Sequence, residues 1–161
     1  MIEQTWVVNA SPLILLGKIN QLVLFEQLAS SLIVPESVFQ EVARGEPNSF
    51  GQKSLNWTKV LVRPDINVPV SILNWNIGAG ESQVLAYCLQ YQGSKAILDD
   101  SQARAAAQSH RIQPLGTLGI ILRAKRSGLI AAAQPLVEQL VASGSYLSPS
   151  LVRAALLKVD E

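Results

Sequence analysis

The stretch AILDDSQARAAA, residues 96–107, decides how this chain folds. With Lys95 before it, a short apolar run stops at two aspartates, Asp99 and Asp100, and an alanine-rich segment of high helix propensity follows through His110. The order is strand, acidic turn, helix. The same order opens the chain. Thr5 to Val8 is β-branched and aromatic, Asn9 interrupts it, and Ser11-Pro12 supplies an N-cap and a first-turn proline for a helix carrying Leu13, Leu16 and Ile19. Leu22 to Leu28 begins a second helical piece. Ser31 to Val34 reads as the second strand, stopped by Pro35, and Val38, Phe39 and Val42 then recur at helical spacing, with Glu41 in that helix.

Between these and the central stretch, Gly45 to Ser54 reads as loop and Thr58 to Val62 as a third strand closed by Pro64. Asp65 to Asn76 fits no single pattern. Gly78-Ala79-Gly80-Glu81 opens a helix in which Val84, Leu85, Cys88 and Leu89 keep a 3.6-residue period until Gly93 ends it. On the far side, Ile112 to Leu115 is a fifth strand and Thr117 caps a helix containing Leu118, Ile121 and Leu122. Further helices are expected over Ala132 to Ala142 and over Pro149 to Lys158, the latter with Ser148 as N-cap. Five short apolar strands, each followed by helical pattern, predict an α/β fold whose parallel sheet is covered on both faces. There is no internal repeat and no linker, so residues 1–161 are expected to form one domain.

Bulk composition narrows the setting. Hydrophobic residues make up 48% of the chain and charged residues 16%, yet no apolar run approaches the ~18 residues that span a bilayer. The acidic start MIEQTW lacks the basic region of a signal peptide, and the single cysteine, Cys88, has no partner for a disulfide. No Cys or His cluster suits zinc. A reducing cytoplasm and no membrane are the expectations. Charge is unevenly spread: from Ser101 to Val137 there is no acid, while Arg104, Arg111, Arg123, Lys125 and Arg126 occur there with His110. That stretch can face nucleic-acid phosphates, or it can be a set of solvated helix faces.

In an open parallel sheet, sites gather beyond the carboxyl ends of the strands. Asn9 follows the first strand, and Asp99 and Asp100 follow the fourth. Glu81 opens the helix preceding the fourth strand, and Glu41 lies in the helix after the second. Carboxylates converging there repel one another unless a cation sits among them, and oxygen ligands without His or Cys select Mg²⁺ or Mn²⁺. Such an ion lowers the pKa of a bound water and stabilises charge on a phosphate, which is the chemistry of phosphodiesterases and nucleases. Each residue also has a structural reading. Asp100 or Ser101 can cap the next helix, Glu81 can answer a helix dipole, and Glu41 can be solvated. His110 has no evident partner, Cys88 follows a core period, and Gly78-x-Gly80 is too short for a phosphate loop. Two adjacent aspartates exceed what a cap requires.

The segments WVVNASPLILLGKI (6–19), VPESVFQEV (34–42), GAGESQVLAYC (78–88), AILDDSQARAAA (96–107) and PLGTLGIILRAKRSGLI (114–130) together resemble the PIN-domain family. The likeness is to the toxin-like, VapC-related branch of prokaryotic predicted nucleic-acid-binding proteins, and it runs from Val7 to Ile130. It implies a three-layer α/β/α sandwich with a five-stranded parallel sheet in order 3-2-1-4-5. It also implies an acidic cleft that binds Mg²⁺ or Mn²⁺ and hydrolyses RNA. Glu41, Glu81 and Asp100 match the family's acidic positions, Asp99 adjoins them, and Ser11 and Thr117 belong to the pocket. By the same resemblance the ligand set is Asn9, Glu81, Asp99 and Asp100, and the chain would dimerise and meet a small antitoxin protein. Asn9 departs from the family, which has an aspartate there. The amide keeps an oxygen for a hard cation but removes a negative charge, which weakens the cage. A catalytically weak or inactive nucleic-acid-binding or regulatory module is therefore the alternative. A phosphoacceptor receiver domain ranks below both, because this chain has Asn9, Pro64 and Thr117 where that family has its acid pair, aspartate and lysine.

Overall fold

The computed structural model describes residues 4–45 and 49–161. Strands β1 (Thr5–Val8), β2 (Ser31–Pro35), β3 (Val62–Arg63), β4 (Lys95–Ile97) and β5 (Gln113–Leu115) form one parallel sheet in the order β3-β2-β1-β4-β5. The register sets Trp6 beside Leu32 on one side and Lys95 on the other, and Ile97 beside Leu115. Successive strand residues point to opposite faces. Trp6, Val7 and Val8 are all buried, as are Ala96, Ile97 and Leu98, so the central strands are covered on both faces. The result is the α/β/α sandwich expected from the sequence. Each fully buried large apolar side chain contributes about 1.5–3 kcal/mol.

Helices α1 (Ala10–Lys18) and α2 (Val23–Leu28) link β1 to β2, and α3 (Glu36–Ala43) and α4 (Ser49–Lys59) lead to β3. Then α5 (Val70–Leu73) and α6 (Ala79–Gln90) precede β4, and α7 (Ser101–Ser109) joins β4 to β5. The chain finishes with α8 (Thr117–Arg126), α9 (Gln134–Ala142) and α10 (Pro149–Leu157). Trp6 meets Phe25 of α2 edge-on at 6.4 Å, and Phe25 meets Trp57 of α4 at 5.7 Å. The α6 helix packs on β1 and β2, and α7 on β5. Cys88 is buried in α6, and desolvation pushes its thiol up to about 12, against a lowering hydrogen bond from Ser94. It is a packing residue. No helix among the described residues is long and apolar enough to cross a membrane.

Five local expectations need correction. Residues 49–54, read as loop, begin α4, while residues 46–48 of that loop lie outside the described residues. The third strand is not Thr58 to Val62: Thr58 is buried inside α4, its hydroxyl donating to Ser54 O at 2.5 Å, and β3 is only Val62–Arg63. Ser11 does not cap α1, because Asn9 holds that position, and Gly116, not Thr117, is the N-cap of α8. His110 has partners after all, with Nδ1 2.8 Å from Ala106 O and Nε2 3.1 Å from Ser71 Oγ of α5. The ambiguous segment after β3 is pinned by hydrogen bonds: Gln83 bonds both ways with Ile66, at 2.9 and 2.8 Å, and Tyr87 donates to Pro64 O.

Candidate active site

The carboxyl edge of the sheet collects the polar residues singled out in the sequence. Asn9 leaves β1 at the N-cap of α1, and its backbone N–H donates to Ile97 O of β4 at 3.1 Å. The side chain makes no capping hydrogen bond and is 7% exposed. Of the four buried side-chain N or O atoms without a partner among the described residues, two lie here: Asn9 Oδ1 and Glu81 Oε2. Leaving such a group unpaired costs about 1–3 kcal/mol, so their persistence calls for a ligand.

Gly80, in the first turn of α6, brings three elements together. A Cβ at this position would stand 3.2 Å from Val38 Cγ2, 3.3 Å from Asn9 Oδ1 and 3.4 Å from Glu41 Oε1. The missing side chain lets α3 approach α6, and Asn9 and Glu41 therefore point oxygens at one spot. Glu81 follows directly, with Oε1 accepting the Gly78 N–H at 3.3 Å. Its carboxyl titrates above the ordinary range. Burial is the largest cause, the Asp100 carboxylate adds to it and Glu41 adds less, against the lowering Gly78 hydrogen bond. The charges of Asp100 and Glu41 thus both bear on Glu81.

Asp99 and Asp100 divide the work of the turn after β4. Asp100 is exposed and caps α7, accepting from Ala103 N at 2.9 Å. Asp99 is turned inward. One oxygen accepts the Thr117 N–H at 2.7 Å, and the other accepts the Ser11 hydroxyl at 2.8 Å and the Thr117 hydroxyl at 2.7 Å. Both of its oxygens are committed to binding α1 and α8 to the end of β4. Gly116 is required beside it, because a Cβ there would come within 2.6 Å of Arg104 Nη1 and 3.1 Å of Asp99 Oδ1.

Among the described residues no three His, Cys, Asp or Glu side chains are gathered tightly enough to hold a metal ion by themselves. The remaining donors still suit a hard cation that keeps part of its water shell, since two buried oxygens lack partners and the neighbouring carboxylates repel. Asn9, Glu81 and Asp100 are the residues that could hold such an ion, with Glu41 Oε1 and Asn9 Oδ1 directed at the same spot beside Gly80.

The basic residues do not converge here as a set. Arg104 lies at this edge, its Nη1 donating to Leu98 O at 3.4 Å. Arg111 sits between α7 and β5, and Arg123, Lys125 and Arg126 sit in the last turn of α8, all at the opposite edge. Beside Asp99 a groove of about 830 Å³ runs past Ser11, Arg104 and Thr117 toward Leu140, Leu151 and the fully exposed Tyr146. Sequence reading gave Gly80 a place only at the start of a helix and did not single out Gly116. Only their place one residue from an acid or a pocket threonine marked them.

A stability measurement tests the acidic group. The folded chain holds a proton on Glu81 at pH values where the unfolded chain has already lost it. Stability should therefore fall as pH rises from the ordinary carboxyl range through the raised value. In EDTA, Glu81→Gln should flatten that slope and raise the melting temperature at neutral pH. Equal slopes for the two proteins would show that Glu81 is not under strain.

A protein-family model, DUF3368, described as a PIN domain, matches residues 5–161. No curated protein and no solved structure matches the chain.

Proposed function

Since this chain belongs to the PIN-domain family, whose members are typically nucleases that bind nucleic acids and generally use divalent metals, we propose that it is an Mg²⁺- or Mn²⁺-dependent endoribonuclease. The observation that supports this most is the pair of unpartnered buried oxygens, Asn9 Oδ1 and Glu81 Oε2, inside a group of mutually repelling carboxylates. When bound, the ion supplies an acidified water and charge stabilisation on the scissile phosphate.

The chain's own residues have distinct tasks in this reading. Asn9, Glu81 and Asp100 hold the ion, and Glu41 adds negative charge next to Asn9. Asp99 is a positioning residue, because its hydrogen bonds to Ser11 and Thr117 fix the turn from which Asp100 projects. Arg104, beside Gly116 at the rim, is placed to meet a phosphate of the bound strand. Toxin-like action follows from the resemblance to the VapC-related branch, with residues 1–161 acting as one domain in the cytoplasm. A homodimer and a small antitoxin partner belong to the same reading. The groove between Asp99 and Tyr146, apolar along Leu118, Leu122 and Leu140, suits an amphipathic segment of that partner.

Purified protein should cleave single-stranded RNA with Mn²⁺ and not with EDTA. RNA binding that is salt-sensitive, indifferent to metal and without cleavage would instead establish the binding module, which the amide at Asn9 favours. Asn9→Asp distinguishes the two further. Restoring the charge should tighten Mn²⁺ binding by about tenfold, roughly 1.4 kcal/mol, and lower the melting temperature in EDTA, because the new carboxylate is buried beside Glu41 and Glu81. Unchanged Mn²⁺ affinity by calorimetry would remove Asn9 from the ligand set.

A further inference from the structure

At the amino edge of the sheet, away from the acidic cleft, a cavity of about 390 Å³ is lined by Trp6, Leu28, Arg123, Arg126 and Ser127. Among the described residues its wall carries two guanidiniums and a hydroxyl, and no acid. Basic residues in the last turn of a helix ordinarily answer its dipole. That accounts for Lys125, whose Nζ donates to Ala131 O at 2.6 Å and stands 3.9 Å from Glu161 Oε2. It does not account for Arg123 and Arg126. Among the described residues neither side chain has a hydrogen-bond partner or a carboxylate at ion-pair distance. The end of α8 does not need them, because Ser127, Gly128 and Leu129 already donate to the carbonyls of Arg123, Lys125 and Ala124 at 2.9, 3.1 and 2.9 Å.

Two neighbours strengthen the case. Lys95 lies beside Trp6 in the sheet register and is 6% exposed, and among the described residues its Nζ bonds only to Gln113 Oε1, at 2.6 Å. Burial lowers its proton affinity and Arg123 lowers it further, so two cations are held near each other without an anion between them. Trp6 Nε1 is also buried without a partner among the described residues. Like charges kept together in a partly desolvated place are stabilised by a bound anion, and the planar arginine fork matches phosphate oxygens in pairs.

We propose that this cavity is a phosphate-binding pocket in which Arg123 and Arg126 grip the anion and the Ser127 hydroxyl donates to it. Its size exceeds a bare phosphate, so the group arrives on a larger molecule: the backbone of a nucleic acid or a phosphorylated small molecule. The pocket stands independently of the nuclease reading, because none of its residues belongs to the acidic cleft.

The test titrates pyrophosphate into the full chain at constant ionic strength, with calorimetry and tryptophan fluorescence as readouts. Wild type should bind, Arg126→Gln should bind about tenfold more weakly or worse, and Lys125→Gln, on the same turn, should stay within about twofold. Arg126 is exposed, and circular dichroism checks that its variant is folded. A short single-stranded RNA in EDTA then separates the sources. Competition by pyrophosphate, with weaker RNA binding by Arg126→Gln, assigns the pocket to a nucleic-acid backbone. RNA affinity unaffected by either assigns it to a phosphorylated small molecule. No pyrophosphate binding by wild type, or equal losses in Arg126→Gln and Lys125→Gln, overturns the proposal.

Discussion

Asp100→Asn is expected to reduce Mn²⁺-dependent RNA cleavage by a factor of about 100 or more while the melting temperature stays within about 2 °C of wild type. The separation is possible because Asp100 has two roles. Its Oδ2 caps α7 by accepting the Ala103 N–H, a task asparagine performs about equally well. Its charge reaches Glu81, and asparagine cannot supply that. Removing it takes away a strong ligand for a hard cation without opening the helix. Asp100→Ala should lose cleavage as well, and should in addition lose about 1 kcal/mol of stability with the cap. Residual cutting equal in wild type and Asp100→Asn would identify a contaminating nuclease and end the catalytic assignment.

The neighbouring aspartate should behave in the opposite way. Asp99→Ala is expected to cost about 3 kcal/mol, because it strands the Thr117 N–H and hydroxyl at a position 3% exposed and frees the Ser11 hydroxyl. For a chain of this length that corresponds to a fall of about 6–12 °C in melting temperature. Asp99→Asn keeps one acceptor oxygen and should cost less. Any cleavage lost by Asp99→Ala at low temperature would come through a displaced Asp100, so Mn²⁺ affinity should fall with it. A melting temperature within about 2 °C of wild type would show that the three hydrogen bonds do not hold α1 and α8 to the sheet.

The fold was legible wherever an apolar run met a turn residue. Strands 1, 2, 4 and 5 lie within one residue of their expected limits, because Asn9, Pro35, Asp99 and Gly116 mark where each run ends. The α4 region was not legible. Asn56, Thr58 and two nearby glycines lower its helix propensity, and its order comes from partners distant in sequence: Trp57 donates to Glu26 Oε1 at 2.7 Å and packs at a tilt against Phe25. At the site, topology was enough to predict that Asn9 and Asp100 leave neighbouring strands at the same edge of the sheet. Sequence gave no way to tell which of two adjacent aspartates would turn inward, since that depends on where Ser11 and Thr117 come to rest. The basic stretch is divided for a related reason: α8 runs away from the cleft, so cations close in sequence to Thr117 end up on the far side.

The sheet is bounded by its weakest members, β3 with two residues and β5 with Pro114 at its middle. A two-residue border is too short to template another chain, and proline has no N–H to offer a newcomer. Growth of the sheet by strand addition is thereby discouraged at either margin, which guards against fibrillar self-association. A companion of this protein is therefore expected to dock elsewhere than along the sheet's margins.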